Sequence, residues 1–260
     1  MTSDLTSVAV YRRTVHASIE RVWENVHDWE HLPWLHAGSF SSIALVERGD
    51  WGWKARIGLG AGEILLELVR ERDAERYVSR TLEGPGARTE IWTTLTPVAK
   101  DRTDIEVEFL VPGVAPDAAS KVGAGFTALY TRLWDEDEAM MQQRTAELAR
   151  RDAPGDAPAT VDLGPEAEVR GRLPLVAEIG GRRVRVIELD GEWIAHGAVC
   201  PHWLGPLDAA PVEDGRITCP WHGYRFDVRS GRRCDAASPM RLPPAPRVVV
   251  AEGRVLLEAR

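Results

Sequence analysis

Cys200-Pro201-His202 and, after sixteen intervening residues, Cys219-Pro220-Trp221-His222-Gly223-Tyr224 are the stretches whose reading decides the fold of the C-terminal part of this chain. Each supplies one thiolate and one imidazole, as C-x-H and then C-x2-H. Soft thiolates beside borderline imidazoles suit either zinc or an iron–sulfur cluster. The spacing is not a zinc-finger spacing. One Cys and one His from each loop is the set required where two His replace two Cys on one iron of a [2Fe–2S] centre.

With these residues the sequence resembles the Rieske family over roughly residues 166–258. The resemblance implies that Cys200 and Cys219 hold one iron of the cluster and that His202 and His222 hold the other. High-potential respiratory members carry an extra cysteine beside each ligand loop. Here Trp203 follows His202, which points to the low-potential ferredoxin or oxygenase branch. The third cysteine, Cys234, follows Ser230-Gly231-Arg232-Arg233 and reads as a free thiol near a turn. Three cysteines make no disulfide framework, so a reducing cytoplasm is the expected compartment.

The chain has 260 residues, enough for two ordinary domains, with 44% hydrophobic and 28% charged residues. It contains no apolar run of eighteen residues, so no membrane span is expected. The start, Met1-Thr2-Ser3-Asp4-Leu5, lacks a signal-peptide pattern. A formal net charge of −8 argues against nucleic acid as a partner. It is compatible with docking a basic redox protein.

Residues 151–165, with Pro154, Gly155, Asp156, Ala157 and Pro158 together, read as a linker. Before it, alternation at Val8, Val10 and Tyr11–Val15 predicts a strand. Ser18 is a plausible N-cap for a helix with Val22, Trp23 and Val26 on its apolar face. Alternation then recurs at Trp51–Ile57, Ile91–Leu95 and Ile105–Phe109. A long helix, roughly 116–150, follows, with Leu129, Leu133, Met140, Met141 and Leu148 at helical spacing. This order, with Val22-Trp23…Asp28-Trp29-Glu30…Leu32-Pro33, resembles the helix-grip fold of the START and polyketide-cyclase superfamily. The resemblance implies an apolar cavity between helix and sheet. After the linker, short strands at Val184–Leu189, Trp193–Ala198, Val248–Val250 and Val255–Glu258 fit an all-β domain. The fold class is therefore α+β. A helix-grip domain at 6–150 is followed by an all-β cluster domain at 166–260.

A second constellation lies in Asn25-Val26-His27-Asp28-Trp29-Glu30-His31-Leu32-Pro33-Trp34-Leu35-His36. Two imidazoles and one carboxylate form the facial triad of non-haem Fe(II) oxygenases, which leaves positions open for dioxygen. His31 and His36 would diverge on an unbroken helix. Pro33 allows the chain to bend, with His31 on the last turn and His36 on the following loop. The stretch resembles the iron-binding segment of the Rieske non-haem iron oxygenases. That resemblance implies that His31 and His36 bind the iron and that Asn25 sits near it. It further implies that Asp28 bonds a ligand His and links it to a cluster His. The third ligand would be an Asp on the final helix, Asp137 or, as fallback, Asp135. An acidic run such as Asp135–Glu138 is otherwise most often a solvated helix face.

Rieske oxygenases normally carry the cluster domain first, and here the order is reversed. Gly58-Leu59-Gly60-Ala61-Gly62 lacks the strand–helix context of a phosphate loop, so no flavin or dinucleotide site is expected. Electrons would come from a separate ferredoxin or NAD(P)H-dependent reductase. The expected partners are O2 and a small hydrophobic or aromatic substrate. Trp51 and Trp53 are candidates to line its cavity, with a core role equally open. A homo-oligomer is compatible with the sequence. The rival reading is a Rieske ferredoxin-like carrier or sensor fused to a ligand-binding module without mononuclear iron. His16 and His27 are assigned no role.

Overall fold

In the computed structural model, residues 4–60, 62–152, 158–236 and 238–259 are described. The chain divides into two units, Met1–Gln142 and Gln143–Arg260. No helix among the described residues is long and apolar enough to cross a membrane.

The first unit is a seven-stranded antiparallel sheet with a long helix. Its strands are β1 (Leu5–Val15), β2 (Ser42–Gly49), β3 (Gly52–Leu59), β4 (Gly62–Glu71), β5 (Arg76–Glu83), β6 (Glu90–Ala99) and β7 (Arg102–Pro112). Their order is β1-β7-β6-β5-β4-β3-β2. All but one adjacent pair are sequence neighbours, so hairpins build most of the sheet. The closing pair sets Tyr11 opposite Val107 and Arg13 opposite Ile105. The apolar alternation of β7 points one way. Ile105, Val107 and Phe109 are buried, whereas Asp104 and Glu106 face outward.

Helix α1 (Ile19–His27) is capped by Ser18, whose hydroxyl accepts from the Arg21 N–H. Helix α3 (Pro116–Asp152) follows β7. Phe126 stacks on Phe109 at 5.0 Å, and Tyr130 meets the same ring edge-on at 4.8 Å. At Gly123 an added Cβ would lie 2.2 Å from the Val8 carbonyl oxygen, so the helix backbone crosses β1 where only glycine fits. The core on this side of the sheet includes Trp23, Trp53, Trp134 and Met141. This is the helix-grip arrangement with its long C-terminal helix.

The second unit is a β domain of three small antiparallel sheets. One joins β8 (Thr160–Pro165) to β16 (Arg254–Glu258) and β15 (Arg247–Ala251). Another joins β9 (Leu175–Ile179), β10 (Arg182–Leu189) and β11 (Glu192–Gly197). The third joins β12 (Val212–Glu213), β13 (Arg216–Thr218) and β14 (Arg225–Asp227). A short helix, α4 (Glu166–Arg170), follows β8. The linker expected at 151–165 is narrower. Helix α3 runs to Asp152, and Thr160–Pro165 is strand, because Val161 and Leu163 pack with Leu257 in the apolar core. Residues 153–157 of that linker lie outside the described residues.

Candidate functional site

Two groups of candidate metal ligands come together, one within each unit. In the second unit, tight turns present the ligands. The Leu204 N–H bonds the Cys200 carbonyl at 3.0 Å, and the Gly223 N–H bonds the Cys219 carbonyl at 2.9 Å. Gly223 has a φ of 69°, the left-handed region that glycine enters without strain. Gly205 is equally constrained, since a Cβ there would lie 2.7 Å from Cys219 Sγ.

Cys200 and Cys219 are both buried free thiols with a side-chain hydrogen bond between them. The rings of His202 and His222 stand 4.6 Å apart, edge to face, with both Nδ1 atoms buried. Sulfur is thus beside sulfur and imidazole beside imidazole. Donation from the Cys200 thiol is the main reason the Cys219 thiol is held below its ordinary value. Burial opposes that shift, and backbone N–H groups of Trp221 and His222 reinforce it. The donor set suits a cluster with two thiolate and two imidazole ligands. Two flanking aromatics were not singled out from sequence. Tyr224 stacks on His202 at 4.4 Å, and the Trp203 ring lies 5.8 Å from His222. Arg233 and Arg144 cover their outer faces.

In the first unit, His31, His36 and Asp137 converge, their ligand atoms all within 4.8 Å of one another. All three are buried. His31 Nε2 and His36 Nε2 lie 3.5 and 3.1 Å from the same oxygen, Asp137 Oδ1. Asn25 Nδ2 donates to that oxygen at 2.9 Å. The backbone differs from a single helix running to His31. Helix α1 stops at His27, and a separate four-residue helix, α2 (Leu32–Leu35), starts with His31 as its N-cap and ends on His36. Pro33 is the reason. Its ring would clash with the Trp29 carbonyl in a continuous helix, but it is tolerated in a first turn.

Behind each imidazole stands a carboxylate. Asp28 Oδ2 lies 3.4 Å from His31 Nδ1. Glu136 Oε2 lies 2.5 Å from His36 Nδ1. A carboxylate on the far nitrogen orients the ring and raises its basicity toward a metal. Burial would lower the His36 pKa, but bonds to Asp137 and Glu136 overcome it and raise the group. Burial would likewise raise Asp137. Bonds from His36 and Asn25, with the nearby His31, hold it below the usual carboxylate range instead. The three ligands and their partners suit a divalent transition metal with open positions.

The structure does not bring Asp135 into this group; it is exposed and bonds Arg13 at 2.7 Å. Glu138 ties Arg13 and the His16 backbone to α3. Each member of the acidic run therefore has a partner, and the run is not a bare solvated face. Glu136 is the residue that sequence reasoning missed; its signal, adjacency to Asp137, was hidden inside that run.

The triad opens on a cavity of about 290 Å3. Its walls are mostly apolar and include Phe40, Trp53, Ile57, Leu68 and Phe126. Trp53 lines it and donates Nε1–H to the Val26 carbonyl at 3.0 Å. Trp51 is not among the lining residues. It sits in the turn before β3, with Lys54 6.0 Å from its ring.

Comparison with known proteins centres on the second unit. Residues 159–246 match the Rieske [2Fe-2S] domain model. Apoptosis-inducing factor 3 of Mus musculus is 39% identical over 54 residues, which are 21% of this chain. The chain spans only 9% of that relative's length. The ferredoxin component of the p-cumate 2,3-dioxygenase system of Pseudomonas putida is 31% identical over 96 residues, 36% of this chain and 75% of that protein. Among solved structures, a START superfamily protein from Mycobacterium smegmatis aligns with 49% of this chain and 93% of its own, at 20% identity and a TM-score of 0.40. Through its second unit, with both one-Cys, one-His turns inside the matched segment, the chain belongs to the Rieske [2Fe-2S] domain family.

Proposed function

We propose that this chain is the oxygenase component of a Rieske non-haem iron system. It would oxidise a small apolar or aromatic substrate with O2 and electrons from a separate ferredoxin or reductase. The observation that carries this reading is the convergence of His31, His36 and Asp137 at an apolar cavity, each imidazole backed by its own carboxylate.

A [2Fe–2S] cluster held by Cys200, His202, Cys219 and His222 supplies one-electron transfer when bound. Fe(II) held by His31, His36 and Asp137 supplies dioxygen activation when bound. The chain's own residues do the rest. Glu136 accepts from His36 Nδ1, and Asp28 stands 3.4 Å behind His31 Nδ1, so both Nε2 atoms face the metal position. Asn25 fixes the rotamer of Asp137 through its amide hydrogen bond. Burial of the triad keeps bulk water from the reacting centre, and the apolar walls orient a substrate there.

A second reading has its own support, namely the similarity to a ferredoxin component. In it the chain is an electron carrier or sensor whose ligand module holds no iron. Metal analysis after anaerobic purification separates the two. The oxygenase reading expects three irons and two acid-labile sulfides per chain, with reductant-dependent O2 uptake. Two irons and two sulfides, with wild-type content retained in His36→Ala, would favour the carrier. Stoichiometric zinc without sulfide would remove the cluster from both.

A further inference from the structure

The cavity beside the triad has a polar feature that oxygen chemistry does not use. Tyr77 on β5 and Tyr130 on α3 both line it. The Tyr77 ring is held edge-on by Trp23 at 6.1 Å. The Tyr130 ring is held edge-on by Phe109 at 4.8 Å. Tyr130 is half-buried in the cavity wall, where a phenol can donate to a bound ligand. Burial pushes both phenols up, so both stay protonated. A protonated phenol donates.

The charge inventory narrows the ligand further. Among the described lining residues there is no Lys or Arg. Asp28, His31, His36 and Asp137 are engaged with one another. Away from the triad, no side chain of the described lining carries a positive charge that could pair with a carboxylate or phosphate. The volume, about 290 Å3, is at the lower end for ligand sites and admits one small ring system.

We propose that this cavity selects uncharged ring compounds bearing one hydrogen-bond acceptor, and that the Tyr130 hydroxyl is the donor that recognises it. The inference rests on the cavity being the substrate chamber of the function proposed above. It names Tyr130 as a specificity-determining residue that holds the acceptor near Asp137 and so fixes which edge of the ring faces the metal position.

The test is equilibrium dialysis of the full chain against tetralin, 1-tetralone and 1-naphthoate, with wild type and Tyr130→Phe. These probes keep the two-ring frame and change only the polar group. Wild type should bind 1-tetralone about tenfold more tightly than tetralin, and naphthoate more weakly than either. Tyr130→Phe should lose that tenfold preference for the ketone while its affinity for tetralin is unchanged, which also shows that the cavity is intact. Equal binding of ketone and hydrocarbon by wild type, full retention of ketone affinity in Tyr130→Phe, tight naphthoate binding, or binding of none of the probes would each overturn the proposal. Iron is counted in the same samples. Two irons per chain with the ketone preference intact removes the oxygenase reading and leaves Tyr130 in its role. Three irons without the preference does the reverse.

Discussion

At the scale of the residue, the most informative side chain is Glu136, which no motif contains. Both ring nitrogens of His36 face carboxylates, Nδ1 toward Glu136 at 2.5 Å and Nε2 toward Asp137 at 3.1 Å. Bonds to the two carboxylates favour the protonated ring, which is why its pKa is raised despite burial. A metal ion arriving at Nε2 exchanges for that proton. The sign follows. Below the His36 pKa the proton must be displaced, and above it the nitrogen is ready. Iron loading should therefore weaken as pH falls through a value above the ordinary imidazole pKa of about 6.5. A loading curve that is flat between pH 8 and 6 would contradict this. Glu136→Gln keeps the shape but weakens the acceptor. It should lower iron affinity by about 10–100-fold while the visible spectrum of the cluster stays unchanged. Unaltered affinity would reduce Glu136 to a surface contact.

At the scale of the element, α3 sets the geometry, and two of its glycines make opposite predictions. At Gly123 the added methyl would meet the Val8 carbonyl oxygen at 2.2 Å, whereas at Gly125 nothing lies within 4 Å. Alanine is the better helix former at both sites by about 1 kcal/mol. Only at position 123 does a backbone clash oppose it, at about 1–3 kcal/mol, because both helix and strand must shift. Gly125→Ala should raise the urea midpoint of the first unit and Gly123→Ala should lower it. Two shifts of the same sign would mean that the helix does not rest on β1 this closely. The sequence makes the elements with strict periods legible. Ser18 and the apolar face behind it mark α1, and Ile105, Val107 and Phe109 mark β7. It hides β2, whose exposed Val46 and charged Glu47 and Arg48 dilute the alternation. It also hides α2, because a four-residue helix has no period to read. Asp137 enters only through the family resemblance, with Asp135 beside it as an alternative. Glu136 does not enter at all, because its meaning depends on a histidine 100 residues away.

At the scale of the whole molecule, each set of metal donors is drawn from one unit alone. His31, His36 and Asp137 belong to Met1–Gln142, and Cys200, His202, Cys219 and His222 belong to Gln143–Arg260. Neither set borrows a ligand from the other, so the two metals should load independently. Cys219→Ser leaves a smaller, harder donor among buried groups, which a cluster tolerates poorly. It should abolish acid-labile sulfide and brown colour while the protein still takes up one iron at His31, His36 and Asp137. His36→Ala should do the opposite, keeping the two cluster irons and the sulfide and losing the third iron. Substrate oxidation should be absent from both variants for different reasons. On the oxygenase reading, the cluster-free protein would lack an entry for electrons, and the triad-depleted one would lack the centre that activates oxygen. Chemical reduction separates these causes. Pre-reducing the cluster in His36→Ala and adding O2 and substrate should give no product, whereas iron-loaded Cys219→Ser with an artificial reductant should give a single turnover at most. If Cys219→Ser lost the third iron together with the cluster, the two sites would be one cooperative assembly. The assignment of each donor set to its own unit would then fail.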